Sequence, residues 1–199
     1  MSDYSPISTF SGVKLPLRPM HVWGIRVRLQ VERRVRDLAL FDLAIDSKLR
    51  GCDVVALRVG DVVSAGIIRR RAIVLQQKTG RPVQFEITDQ ARQSIARWLE
   101  RRPGYGGEWL FPSRQWPGEH LSTRQYSRLV KWWVDLIGLE PSGYGTHSLR
   151  RTKVSLLYKK TGNLRACQLL LGHTKLESTV RYLGVELDDA LLMSEALEL

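Results

Sequence analysis

The sequence predicts a mainly α-helical domain with a small antiparallel β-sheet inserted early in the chain. Three observations lead there. Apolar residues recur at helical spacing through most of the 199 residues. Between Ala65 and Thr88 the period drops to two, and β-branched residues gather. Capping residues and Gly or Pro stops then divide the rest into separate helices.

Residues 1–19 are rich in Ser, Pro and Gly with little periodicity, and are expected to form a flexible N-terminal arm. From Met20 to Leu49 the pattern is helical. Leu38, Phe41, Leu43 and Ile45 thread through charged neighbours, and Gly51 does not clearly end the segment. Ile67-Ile68 and Ala72–Leu75 read as strands. Lys78-Thr79-Gly80-Arg81 is a turn signal, and Val83, Phe85 and Ile87 alternate with polar residues after it, so Lys78 falls at or near a hairpin turn.

Thr88-Asp89 offers a cap for a helix carrying Ala91, Ile95, Trp98 and Leu99. Residues 103–121 form a Pro/Gly-rich connection with one apolar knot, Trp109–Phe111. Ser122 or Thr123 caps the next helix, to about Leu136, and Pro141–Gly143 breaks the chain. Thr146 is expected to cap a helix to Lys160, closed by Gly162-Asn163. A short helix ends at Gly172, another spans Leu176–Leu183, and an acidic helix fills 185–199.

Hydrophobic residues at 43% and charged residues at 26% suit a globular chain and argue against disorder. The charge balance is unusual: Lys plus Arg is 31 against 20 Asp plus Glu, a net +11. A polyanion partner fits that excess, and nucleic acid is the common one. From Leu183 to Leu199 there are five acids and no Lys or Arg, so the preceding chain carries +16. The tail should avoid a polyanion that the body attracts. Arg69–Arg71 and Lys159-Lys160 can meet phosphates or serve as a solvated face. Cys52 and Cys167 lie in no metal-like spacing and read as small reduced core residues. No stretch approaches a membrane span, and MSDYSPISTF lacks the layout of a secretory signal, so a cytoplasmic protein is expected.

Separated pieces carry candidate chemistry. His147 and Arg150 are three residues apart and share a helix face. His173 follows Leu171-Gly172, and Tyr182 lies nine positions beyond it. Arg50 precedes an acid, Asp53, by three residues. Each has a plain structural reading alone: packing for the tyrosine, caps for the histidines, an ion pair for Arg50, solvation for Lys78. Together they match what phosphoryl transfer needs. Guanidinium forks fit the charge on non-bridging oxygens. A tyrosine with pKa ~10 needs a base or cationic surroundings to attack. A leaving sugar oxygen needs a proton donor. No acidic cluster has metal-ligand spacing and no P-loop is present, so neither metal nor other cofactor is expected.

The order Arg50, Lys78, His147-x-x-Arg150, Leu171-Gly172-His173 and Tyr182 resembles the catalytic domain of the tyrosine recombinases, or phage integrase family. HSLRRT and LLLGHTKLESTVRY are the specific part. The resemblance spans residues 20–182 and implies that fold for 20–184. It implies that Arg50 and Arg150 clamp the scissile phosphate, that His147 moves the nucleophile's proton, and that His173 bonds a phosphate oxygen. Lys78 would protonate the departing 5′ oxygen, and Tyr182 would form a 3′-phosphotyrosyl link.

Site-specific integration, excision or inversion would follow, on double-stranded DNA in the nucleoid. A tetramer would carry it out, with accessory DNA-bending proteins as further partners. The tail 185–199 would dock on a neighbouring subunit. Asp53 stands where the family usually has Glu. The short lead before Met20 resembles single-domain members such as the fimbrial phase-variation recombinases. Two other readings compete: a type IB topoisomerase-like or resolvase activity that uses the same residues, and a non-catalytic DNA-binding regulator that keeps the same fold.

Overall fold

The computed structural model describes residues 14–104 and 107–184, with Leu191, Ser194 and Glu195 beyond them. Helix α1 (Pro19–Val31) starts on a proline, whose fixed φ suits the first helical turn. It buries Val22, Ile25 and Leu29 on one face. Helix α2 (Val35–Ser47) is buried from Arg36 to Ser47, as befits a central helix. Its acids are paired: Asp42 with Arg26 at 2.6 Å and Asp46 with Lys153 at 2.7 Å.

The predicted run from Met20 to Leu49 is therefore two helices. Arg33 adopts a left-handed φ of 53°, and the Arg34 N–H closes α1 on the Leu29 carbonyl. A second left-handed residue, Lys48 at φ 54°, ends α2. Helix α3 (Gly51–Val55) then begins, with Arg50 at its N-cap rather than inside a helix.

After α4 (Val59–Val62) the chain forms two hairpins, not one sheet. Strands β1 (Val63–Ser64) and β2 (Ile67–Ile68) join through Ala65 and Gly66, both at positive φ, as a tight two-residue turn requires. Strands β3 (Arg71–Leu75) and β4 (Pro82–Glu86) pair with Ala72 opposite Phe85 and Val74 opposite Val83. Alternation along β4 puts Val83 and Phe85 in the core. Lys78 is in the turn between β3 and β4.

Helix α5 (Asp89–Arg101) is capped by Thr88, and α6 (Thr123–Asp135) by Ser122. The knot between them is anchored: Trp98 Nε1 donates to the Leu110 carbonyl at 2.8 Å, and Leu110 and Phe111 are fully buried. A 3-10 turn at Pro141–Gly143 precedes α7 (Thr146–Thr161), which Gly145 caps in place of the expected Thr146. Helices α8 (Leu164–Leu171) and α9 (Leu176–Leu183) end on left-handed Gly172 and Gly184. Helix α2 packs against α1, α5, α7 and β4, while α8 and α9 pack on one another and on α7.

Two further expectations change. The arm predicted over 1–19 is not loose where it is described. Leu17 is buried, its N–H donates to Thr152 Oγ1, the Leu15 N–H donates to the Gly143 carbonyl, and Arg151 reaches the Lys14 carbonyl. Backbone bonds and one apolar residue hold it, and neither leaves a periodic signal. Cys167 is in the core as expected, but Cys52 is only half-buried. Residues 1–13, and most of the acidic segment 185–199, lie outside the described residues; Leu191, Ser194 and Glu195 are helical and exposed.

Candidate active site

A charged network fixes the frame. Lys48 Nζ, fully buried, donates to both Glu86 carboxylate oxygens at 2.7 Å. Lys153 Nζ bridges Asp46 and Glu86, each at 2.7 Å, and Asp46 also accepts from the Thr88 N–H and hydroxyl. The end of α2, strand β4 and helix α7 are thereby tied together, and α7 carries His147 and Arg150. Burial of such charges is tolerable only because each is paired.

Arg150 lies in the second turn of α7, 2% exposed, and its Nη2 donates to the Leu171 carbonyl at 2.8 Å. Its Nε and Nη1 are buried without a partner. The Tyr182 hydroxyl is likewise buried and unpartnered. The Arg150 guanidinium carbon is 5.8 Å from the Tyr182 ring centre and that of Arg151 is 5.3 Å. His173 stands edge-on to Tyr182, ring centres 5.4 Å apart, with Nδ1 3.1 Å from the Thr179 hydroxyl. Arg50 reaches the group indirectly: its Nη1 donates to Gln76 Oε1, and Gln76 Nε2 donates to the same Leu171 carbonyl.

Leu171-Gly172-His173 has a geometric reason. Gly172 is left-handed at φ +64°, and a Cβ there would stand 2.5 Å from Val83 Cγ2. Only glycine lets the end of α8 approach β4 closely enough for its last carbonyl to meet both Gln76 and Arg150.

Burial pushes the Tyr182 phenol up to about 12, against the pull of Arg150, Arg151 and Arg50. The phenol is therefore protonated at neutral pH and needs a base before it can attack. Burial, then the charges of Arg150 and Arg50, push His173 down to about 4. His147 is lowered as well, by burial and then by Arg150, Arg50, Arg151 and Lys78. Both imidazoles are thus neutral at pH 7. His147 is exposed, on the face of α7 that carries Arg150.

Of the predicted residues, Arg150, His173 and Tyr182 are in contact, Arg50 joins them through Gln76, and His147 stands at the rim. Lys78 is exposed in the hairpin turn; its charge is felt at His147, and it makes no ion pair among the described residues. Asp53 does not pair with Arg50. Its Oδ1 accepts from the Gln77 N–H at 2.9 Å, and its Oδ2 is buried and unpartnered. Sequence reasoning missed Gln76, Thr179 and the contact of Arg151 with Tyr182. Gln76 follows the last apolar residue of β3, where a polar residue reads as turn; Arg151, next to Arg150, was legible only as further basic charge.

Arg150, Arg151 and a neutral His173 stand against the buried Tyr182 phenol, with Arg50 and His147 beside them, and this cationic setting suits an anionic group. Among the described residues no three His, Cys, Asp or Glu side chains gather as metal ligands. The cradle is open. A cleft lined by Leu29, Arg33, Val35 and Arg101 lies at the opposite end of α2.

A family model described as the phage integrase family matches residues 28–187. The tyrosine recombinase XerC of Chromobacterium violaceum is 32% identical over 163 residues, 81% of this chain and 52% of the relative. The probable integrase/recombinase YoeC of Bacillus subtilis is 28% identical over 158 residues, 79% of this chain and 82% of the relative. The Tn1549 transposon integrase, solved in complex with a circular intermediate DNA, superposes with a TM-score of 0.74 at 19% identity, covering 96% of this chain and 68% of that one. The chain spans about half the length of the XerC relatives it matches.

Proposed function

The chain belongs to the phage integrase family, and on that premise we propose that it breaks and rejoins double-stranded DNA at specific sites through Tyr182. The observation that carries this reading is the pair of buried, unpartnered Arg150 nitrogens beside the buried, unpartnered Tyr182 hydroxyl. Buried polar groups are almost always satisfied, so such a cluster suits a ligand that supplies oxygens. A phosphodiester does so, and the neighbouring guanidinium of Arg50 adds a second fork.

In the proposed step the Tyr182 oxygen attacks phosphorus while its proton passes to His147. The bond from phosphorus to the 5′ oxygen breaks, and Lys78 gives that oxygen a proton. Arg50, Arg150 and His173 hold the non-bridging oxygens as charge builds there. A 3′-phosphotyrosyl link and a free 5′-hydroxyl result. Attack by a 5′-hydroxyl of a partner strand reverses the chemistry, so no nucleotide cofactor is consumed. Residues 20–184 would serve as the catalytic domain. A homotetramer on DNA inside the cell, aided by DNA-bending proteins, is part of this reading. The acidic segment 185–199 would be repelled by DNA and drawn to a basic neighbouring subunit. Among the described residues no helix is long and apolar enough to cross a membrane.

The test is incubation with a nicked suicide duplex bearing a target site, in EDTA and without ATP. A denaturant-resistant protein–DNA adduct is expected, attached at Tyr182. Failure to form one on any cognate site, or a strict need for a divalent cation in cleavage, overturns the reading.

A further inference from the structure

Gln76 has no part in the step just described, yet it bonds Arg50 directly and shares an acceptor with Arg150. Only 1% of it is exposed, although it lies in the turn that follows β3. Its Oε1 accepts from Arg50 Nη1 at 2.5 Å and from the Thr79 hydroxyl at 3.0 Å. Its Nε2 donates to the Leu171 carbonyl at 3.4 Å, and Arg150 Nη2 donates to that same oxygen at 2.8 Å. Its backbone closes the turn around Lys78: the carbonyl accepts from the Thr79 and Gly80 N–H groups, and its own N–H donates to the Arg81 carbonyl. One buried amide thus links both arginines and the last residue of α8.

The choice of an amide has an electrostatic consequence. Arg50 has no carboxylate partner among the described residues, since Asp53 faces the Gln77 N–H. A neutral acceptor fixes a guanidinium without cancelling its charge, leaving the full charge for an anion. A carboxylate in the same place would neutralise Arg50 and would turn a second acceptor toward the Leu171 carbonyl.

We propose that Gln76 is a positioning residue for strand cleavage, its neutral amide holding Arg50 in register with Arg150 through the shared Leu171 carbonyl. The inference rests on the recombinase reading above. It acts through the arginines, not through the proton given to the leaving oxygen, and this difference makes it testable.

The experiment measures single-turnover cleavage of the suicide duplex by the full chain, with DNA affinity and the thermal transition recorded beside it. Gln76→Met keeps the length and removes both hydrogen bonds. It should cleave about 10²-fold more slowly, the usual scale for loss of an oriented donor, with affinity changed only a few-fold. A duplex whose 5′ bridging oxygen is replaced by sulfur leaves as a thiolate and needs no proton; the defect should persist on it, because the arginines are still misplaced. In an Arg50→Ala background Gln76→Met should cost almost nothing further, since residues that act as a unit are not additive. If Gln76→Met loses its cooperative transition, Gln76→Glu takes its place in the same cycle, and should also be slow because it quenches Arg50. Wild-type cleavage by the variant, a defect erased by the sulfur substrate, or an undiminished cost in the Arg50→Ala background would overturn the inference. No adduct from the wild-type chain would instead sink the recombinase reading, and this one with it.

Discussion

Arg50 hangs from a core that runs from Leu17 to Leu149, whereas Tyr182 belongs to a cluster whose fully buried members are Val154, Cys167 and Leu171. The large core fixes the ends of α2, β3 and β4, and the ion network of Lys48, Glu86, Asp46 and Lys153 locks them. The small cluster holds α8 and α9 against α7 with Leu157, Tyr158 and Tyr182 at its edge. Arg150 is the join, seated on α7 and bonded to the end of α8. The difference follows from what each part must do. Groups that stabilise developing charge work best when already oriented, which needs dense packing. A nucleophile that must approach phosphorus and later release it is better served by a segment of low local stability.

The largest effect should come from the thinly held side. Tyr182→Phe removes one oxygen and keeps the ring between Arg150, Arg151 and His173. Adduct formation should vanish while DNA affinity stays within a few-fold. The thermal midpoint should hold or rise, because the lost hydroxyl is buried and unpartnered. An adduct from this variant would break the assignment of reactivity to the small cluster.

Arg150→Ala probes the join. Cleavage should fall by about 10²–10³-fold, the scale measured for an oriented donor to a charged transition state. Affinity should fall much less, because many phosphate contacts share the binding energy. Equal losses in rate and affinity would make Arg150 an anchor of DNA and move the electrostatic work elsewhere in the large core.

The same division explains what was legible in the sequence. The α8 and α9 segment announces itself through Gly172, His173 and Tyr182, since close approach and chemistry both demand particular residue types. The core helices are legible as periodicity, but their ends are not. Arg33 and Lys48 turn left-handed although neither residue type signals it, and no glycine or proline marks Ser47 as the end of α2. One sheet was expected where two hairpins form, because Arg69 and Arg70 lie between β2 and β3 and only hydrogen bonds decide that pairing stops there. The role of Gln76 was hidden for a similar reason: its partners are 26 and 95 positions away.

Gly172→Ala tests whether the two regions must touch. The new methyl would meet Val83 of β4 and would occupy a left-handed φ. The cost should be about 1–3 kcal/mol, as for other overpacked sites, seen as a lower denaturant midpoint at unchanged slope. Cleavage should slow as well, because the Leu171 carbonyl serves Arg150 and Gln76. Unchanged stability would mean that α8 shifts freely against β4, and that the contact between the regions is not needed.

The smallest effect is a pH dependence read at the nucleophile's side. His173 is held down to about 4, against an ordinary 6.5, by burial and then by Arg150 and Arg50. Below pH 6.5 the unfolded chain takes up a proton at this residue that the folded chain refuses. The free energy of unfolding therefore falls as pH drops from 6.5 toward 4, and the contribution is fully present above 6.5. His147 is lowered in the same direction and adds to the trend, as does His21 on α1. His173→Gln keeps a polar group beside Thr179 and cannot titrate. Its thermal midpoint should fall less than the wild-type midpoint between pH 7.5 and 5, while the two proteins run in parallel above pH 7. Because His173 is half-exposed, solvent screens the effect and the difference should be modest. Should both proteins lose the same stability down to pH 5, the imidazole is already free to protonate in the fold. The arginines would then not press on it as the geometry implies, and the small cluster would be looser than its contacts suggest.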